Sequence, residues 1–548
     1  MATTRTTRRF SRGVARRKGH LAVAVIAGVL TAAATAARAQ IDATPSPQAG
    51  DASQTANSAA APTAQQRRSF VAPTISWEST WTNNVGLATD RKSDWINEIR
   101  PGLEFAGSGA HSKVDGTLSL SALVYARTSS NDRVLPQANI AGTLEAIDRL
   151  LYIDGTVDVS QQYLSPFGAR PQDISSATQN RYTSQLYTVS PYLKSKIGDG
   201  VDYELRQKST WSNANGSSVN GLDTRSYSSE VSGHIAREAR PGGWRLEYDR
   251  NDISFAGQSQ DETSEIARAT GLYRFDPTFQ AGISGGYEDD RFFLTHQSGS
   301  IYGVSIEWHP NDRMSLTANG EHRFFGTSYH VKADDHSRRV VWSIDASRDV
   351  TSYPQQLGTL QAGQDVSALL NSLFAPRISD PALRQSAVEQ FIRDRGLPSS
   401  LSSPLALLTQ QLTLAELARG TIGLVGARNS ILFNVFRSRV QPVPGTEQDL
   451  SPLLAQLINN TQTGAGVTWT HQLAPSVSLT TNGIWARTTQ DVAPIGSTRL
   501  YELQAILSRN VTALTSIHGG LRYQDSQSDV SQSFREFAVF VGLTHGFR

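Results

Sequence analysis

The sequence predicts an all-β transmembrane protein, an antiparallel up-and-down β-barrel of about 22 strands (roughly 18–24 fit) with a short α-helical insertion. Three observations carry this. From residue 70 to the C-terminus the hydrophobic period is two, segment after segment. Tight Gly, Pro and Asp turns alternate with longer polar loops. The segments run roughly 13–18 residues and often end their apolar faces in Trp, Tyr or Phe, which suits a tilted membrane strand better than a sandwich strand.

The chain opens with seven basic side chains in residues 1–20 (Arg5, Arg8, Arg9, Arg12, Arg16, Arg17, Lys18) and no acid. An apolar run, Leu21–Leu30, follows, and Ala37-Arg38-Ala39 closes it before Gln40. This is the layout of a cleaved secretory signal peptide over 1–39, and the apolar run is too short to span a bilayer as a helix. Removing its eight basic residues leaves 43 basic against 49 acidic groups, so the formal +2 becomes −6 and no basic footprint for nucleic acid remains. Residues 40–69 are rich in Ala, Ser, Thr, Pro and Gln and read as a disordered periplasmic tail, too poor in large apolar groups to fold or to form a plug.

The barrel domain is expected over 70–548. In Trp244–Asp249 one face is Trp, Leu, Tyr and the other Arg, Glu, Asp. Tyr302, Val304, Ile306 and Trp308 alternate with Gly303, Ser305 and Glu307, and Leu118, Leu120, Ala122 and Val124 with Thr117, Ser119 and Ser121. A soluble sandwich would have to bury the charged or the apolar face dry, whereas a membrane barrel turns the apolar face to lipid and keeps a polar lumen. Strand starts are expected near residues 72, 94, 112, 136, 150, 179, 200, 223, 242, 261, 277, 297, 312, 327, 338, 411, 429, 461, 476, 496, 511 and 531. Turns such as Pro241-Gly242-Gly243 and Pro310-Asn311-Asp312 alternate with loops at 84–93, 164–178, 214–222 and 441–460, the periplasmic and extracellular asymmetry of such barrels.

The period breaks over 364–408. Val366, Leu369, Leu370, Leu373 and Phe374 have helical spacing, and Asp380-Pro381 opens a second stripe through Leu383, Ala387, Val388, Phe391 and Ile392 toward Gly396. By parity this insertion leaves from the extracellular side between strands 15 and 16; capping the mouth, filling the lumen, holding a partner and packing on itself all remain open. At the C-terminus Phe537, Val539, Val541, Leu543 and Phe547 share one face, resembling the terminal signal read by the outer-membrane barrel assembly machinery, although Arg548 follows the Phe and His545 occupies a usually apolar place.

Inward parity selects Arg245, Glu247, Asp249, Glu307, Glu321, Arg323, Glu502 and Arg522 as lumen-lining candidates, either touching a passing solute or bracing the wall as cross-strand pairs. Outward parity selects Trp244, Tyr248, Tyr302, Trp308, Trp485, Tyr501, Tyr523 and Phe547 as membrane-girdle aromatics. Catalysis is not expected. Zero cysteine removes thiol chemistry and disulfides, the histidines are scattered, and Gly282-Ile283-Ser284-Gly285-Gly286 imitates a nucleophile elbow inside an alternating strand. Asp334-Asp335-His336 reads as a solvated turn rather than a cation site. No metal or cofactor is expected.

Several strings go further: Ile99-Arg100-Pro101-Gly102-Leu103, Ser165-Pro166-Phe167-Gly168, Ser190-Pro191-Tyr192-Leu193, Gly285-Gly286-Tyr287-Glu288-Asp289, His322-Arg323-Phe324-Phe325-Gly326, Val341-Trp342-Ser343, Asp349-Val350-Thr351 and the helical insertion from Asp380 to Pro398. Together the chain resembles the outer-membrane β-barrel family associated with PEP-CTERM/exosortase systems, over nearly all of 70–548. The resemblance implies a place in exopolysaccharide export or surface assembly at the outer membrane of a Gram-negative bacterium. The implied partners are outer-membrane lipid, the assembly machinery, polysaccharide and a periplasmic export protein. Two functions follow as expectations, a pore for the polymer or a plugged barrel that binds polymer or sorted surface proteins.

Overall fold

The computed structural model describes residues 69–547 apart from 172, 199, 217–223, 257–260, 293–294, 376–377, 379–380, 396, 447–457 and 493–495. The expected signal peptide and tail, and the helix punctuation at Asp380 and Gly396, lie outside the described residues.

Period-two alternation becomes 22 strands. The first eight are β1 (Ser69–Thr82), β2 (Asp94–Ser108), β3 (Ser112–Tyr125), β4 (Arg133–Ile147), β5 (Leu151–Tyr163), β6 (Arg181–Ile197), β7 (Val201–Asn215) and β8 (Ser226–Arg237). There follow β9 (Gly242–Phe255), β10 (Glu262–Asp276), β11 (Phe279–Arg291), β12 (His296–Asn311), β13 (Met314–Arg323), β14 (Gly326–His336) and β15 (Val340–Thr351). The last are β16 (Thr413–Val425), β17 (Asn429–Pro442), β18 (Asn460–Ala474), β19 (Val477–Gln490), β20 (Ser497–Asn510), β21 (Thr515–Ser528) and β22 (Phe534–Gly546). Each pairs antiparallel with the next, and β1 pairs with β22, from Thr74 opposite Gly546 to Thr82 opposite Ala538, so the sheet closes without an edge. The seam is reinforced by side chains: Thr82 donates to Glu536 (2.7 Å), and Ser76 and Thr544 share a hydrogen bond (3.0 Å).

Closure fixes which parity faces lipid. Ile283 is 72% exposed and Tyr302 59%, although both belong to a closed sheet with polar alternates behind them. An apolar outer belt of this kind is stable only in a bilayer. The even strand count places both ends of the sheet at the mouth with the short turns, and every long connection lies at the other, extracellular mouth. On the inner face, register puts aromatic rings over glycines of the neighbouring strand. Phe436 on β17 faces Gly464 on β18, where a Cβ would sit 2.4 Å from the ring, and Phe540 covers Gly520 in the same way.

Three helices, α1 (Tyr353–Gln364), α2 (Val366–Phe374) and α3 (Pro381–Arg395), occupy the β15–β16 connection. The last two coincide with the expected helical stripes, and α1 precedes the expected insertion. The capping residues of α1 explain it: the Ser352 side chain and the Gln355 backbone and side chain close a reciprocal capping box ahead of Pro354.

Candidate functional site: the barrel lumen

The β15–β16 connection leaves from the extracellular rim and folds into the lumen. Helix α1 crosses it: Tyr353 donates to Ser184 on β6 (2.8 Å) and accepts from Tyr182 (3.0 Å), and Gln361 donates to Asp158 on β5 (3.1 Å). Tyr353, Leu357 and Leu360 share one apolar cluster with Tyr182, Ala214 and Leu417, so a single helix joins β6 and β7 to β16 across the barrel. Helix α2 then descends. Val366 and Leu370, both fully buried, pack with Val388 of α3 against Val341 and Leu432 of the wall. Arg395, at the end of α3, donates to the Gly426 carbonyl in a turn at the periplasmic mouth (3.2 Å). The insertion therefore spans the height of the lumen.

The return segment, 397–412, climbs along β17 and β18, held by side chains of the wall that pair with its backbone. Gln462 accepts from the Leu405 N–H (2.9 Å) and donates to the Leu405 carbonyl (3.2 Å), and Asn434 donates to the Ser402 carbonyl (2.6 Å). Such pairing satisfies backbone groups that would otherwise be buried without partners.

A second connection, 164–180 between β5 and β6, also turns inward. Ser175 accepts through its carbonyl from Tyr125 (2.6 Å), Ser176 from Arg133 (2.8 Å), and Phe167 from Thr498 on β20 (3.3 Å). Ile174 and Ala177 pack on Val85, Ile96, Leu123 and Tyr125.

The eight lumen candidates all sit on the inner parity of their strands and fall into separate groups. Arg245, Glu247, Asp249, Glu321 and Arg323 lie on β9 and β13. Arg268, between them on β10, bonds Glu321 (2.8 Å) and Glu247 (3.4 Å), and Arg245 approaches Glu247 at 3.7 Å. Arg323 continues the network to Glu288 (2.7 Å) and Asp349 (2.6 Å). Glu307 stands apart near the periplasmic mouth, 3.0 Å from His309. Glu502 and Arg522 are on the other wall beneath the 164–180 loop. Arg522 contacts Asp173 and bonds Glu536 (3.0 Å), and the charge facing Glu502 is Arg170. Burial pulls the Arg170 guanidinium below its usual range, and Glu502 opposes that shift. Parity located these positions; it carried no signal for Arg268, Glu288 or Asp349 as partners, because a partner depends on register between strands.

The girdle candidates Trp244, Tyr248, Tyr302, Trp308, Trp485, Tyr501, Tyr523 and Phe547 are all exposed on the outer face. Ser284 lies in mid-strand on β11 and donates to Glu321 (3.2 Å), which makes the G-x-S-x-G string part of the wall network. Asp334 accepts from Ser343 (2.6 Å), and no cluster of metal-ligating side chains occurs among the described residues.

Two features show how far the lumen is filled. Under the insertion the inner faces of β17 and β18 are buried, including Leu432, Val440, Asn460 and Gln462. Elsewhere inner residues are exposed inside the closed sheet: Lys113, Asp115, Asn139, Thr143, His330 and Lys332. Between the insertion and β12–β16 a cavity of about 1250 Å³ is lined by Lys332, Asp334, His336, Asp345, Gln385 and Arg419 among others. The class these features define is a membrane-spanning β-barrel with a polar, partly occupied lumen.

No protein-family model matches the chain, and no curated protein does. Among solved structures it is similar to the FrpB iron transporter from Neisseria meningitidis (F5-1 variant), with TM-score 0.47 and 7% identity over 87% of this chain and 82% of that one. It is also similar to the siderophore receptor PirA from Pseudomonas aeruginosa (TM-score 0.36, 9% identity, 87% and 80% covered). A third is OpdO from Pseudomonas aeruginosa (TM-score 0.29, 8% identity, 87% and 98% covered).

Proposed function

We propose that the chain is a pore-like component of the outer membrane through which a hydrophilic polymer, an exopolysaccharide, leaves the cell, with the 352–412 insertion setting the width of the path. The observation that carries the reading is the uneven filling of the lumen along its height, dense toward the extracellular mouth and open toward the periplasmic one. The insertion lines β15–β18 over their height, and α1 and the 164–180 loop fill the extracellular half against the other walls. Toward the periplasmic mouth inner residues such as Lys113, Asp115, Thr143 and Lys332 are exposed, and the inner faces carry hydroxyl, amide and self-paired charged groups. A lumen whose carboxylates and guanidiniums neutralise one another offers hydrogen bonds without a strong field, which suits a hydrated polyhydroxyl chain better than a small ion. The resemblance to barrels of exosortase-associated loci supports the same cargo, and a periplasmic export protein would deliver it to the short-turn mouth.

A second reading has its own observation. Helix α1 ties opposite walls together, as a fixed plug would, and the protein would then hold polymer or sorted surface proteins at its loops. Conductance in planar bilayers separates the two. Replacing 354–410 by a short Gly-Ser link leaves all strand pairings in place; a pore shows ohmic conductance that rises severalfold on removal of the insertion. A wild-type barrel that stays silent supports the plugged reading. Unchanged surface polysaccharide in a strain lacking the protein would overturn the export assignment.

A further inference from the structure

On the outer wall formed by β17–β20, at the extracellular side of the aromatic belt, three arginines face away from the barrel. Arg437, Arg487 and Arg499 are exposed, and among the described residues none of them has an ion-pair or hydrogen-bond partner. Arg487 and Arg499 are directly opposite one another on adjacent strands, a pairing of like charges that weakens a sheet. Arg437 joins the same row through Thr463, which is opposite both Arg437 and Arg487. Three guanidiniums thus occupy about 14 Å of wall at ordinary strand spacing.

Other outward arginines, near the row and on other walls, are neutralised within the chain. Arg439 pairs with Asp491 (3.1 Å), Arg535 with Asp525 (3.3 Å), Arg250 with Asp252 (2.9 Å) and Arg291 with Asp289 (3.3 Å). Glu416, on the adjoining strand, keeps its charge and accepts from the Tyr329 hydroxyl (3.2 Å), and it forms no ion pair with Arg437.

Directly below the row, toward the bilayer centre on β17–β21, is an apolar hollow of about 420 Å³. Phe433, Val467, Trp485, Tyr501, Leu503 and Tyr523 wall it, and the small residues Ala465 and Gly483 form its floor. Unneutralised guanidiniums at the headgroup level above an acyl-sized hollow match an anionic amphiphile, since each basic group near a lipid phosphate adds to binding.

We propose that this face holds a phosphorylated, multiply acylated glycolipid of the outer leaflet, its phosphates on Arg437, Arg487 and Arg499 and an acyl chain in the hollow. The extracellular position selects the outer leaflet, and three guanidiniums exceed what one headgroup phosphate requires. The proposal concerns the lipid-facing wall and is independent of what passes through the lumen.

The test measures binding of bis-phosphorylated lipid A, of its dephosphorylated form and of phosphatidylglycerol to the purified full chain in neutral detergent. The expected result is a preference for the bis-phosphorylated lipid that falls about a hundredfold in the triple variant R437Q/R487Q/R499Q and largely survives in R437K/R487K/R499K. All three side chains are exposed, and heat-dependent gel migration reports folding of each variant. The single variant R499Q adds a second readout: relieving the like-charge pair raises the urea midpoint of the barrel while weakening lipid A binding. Undiminished lipid A binding by either Gln variant, or equal wild-type affinity for phosphatidylglycerol and lipid A, overturns the proposal.

Discussion

Arg323 shows what a single inward charge does in this barrel. Its guanidinium is 4% exposed and lies between Glu288, which is fully buried, and Asp349. Replacing it with Met strands the Glu288 carboxylate without a counter-charge, and we expect a loss of about 3–5 kcal/mol. Urea unfolding in lipid vesicles, followed by tryptophan fluorescence, measures it; the double replacement R323M/E288Q recovers most of the loss, because the one carboxylate still without its partner, Asp349, has a side chain open to water. Gln462 acts on the insertion instead. It is 2% exposed and pairs with both backbone groups of Leu405, so Gln462→Ala leaves them unsatisfied at about 1–3 kcal/mol. The expected outcome is faster protease cleavage within 397–412 with an unchanged barrel midpoint. These inward positions could be read from alternation alone, since parity alone decides which way a strand residue points. Their partners could not, because Arg323 meets residues 35 and 26 positions away through sheet register and curvature.

At the scale of the element, strand and insertion differ in what specifies them. Strand starts read from alternation and turn residues fall within four residues of every observed start, as at Asp94, Ser112, Gly242 and Asn429. Each strand carries its own signal because it has one face in lipid and one in water. Inner-face packing between strands is a separate matter. Gly464→Val would place its Cβ 2.4 Å from the Phe436 ring, and we expect about 1–3 kcal/mol of destabilisation, relieved in the double variant with Phe436→Ala. Urea midpoints of the two variants check this. Helix α1 was open to the same reasoning through Ser352, Pro354 and Gln355 and through the short i, i+4, i+7 stripe of Tyr353, Leu357 and Leu360, though that stripe is sparse. Its burial comes from opposite walls, which no local stripe can encode.

For the whole molecule, closure of β1 on β22 makes the barrel independent of what lies inside it. The insertion supplies none of the wall's strand pairing, so it can be locked or removed with the sheet's backbone hydrogen bonds intact. With no native cysteine, a disulfide can be placed on a clean background. Ser402 and Asn434 touch across the insertion and the wall (2.6–3.2 Å), and S402C/N434C is expected to lock the return segment when oxidised. If the insertion sets the width of a pore, oxidation lowers or steadies the conductance and reductant restores it; conductance indifferent to redox state would place the path elsewhere.

Alternation, turn chemistry and the broken period indicated by themselves a transmembrane antiparallel barrel of about 22 strands, with roughly 18–24 fitting, and helices between the fifteenth and sixteenth. That follows because a bilayer imposes its polarity on every strand separately. The structure fixed the count at 22 among the described residues. Only the tertiary structure decided that the helices and the 164–180 loop fold inward, which charges pair, and which arginines are left without a counter-charge. Those outcomes depend on residues brought together from opposite walls or neighbouring strands, and no single segment of the chain contains both partners.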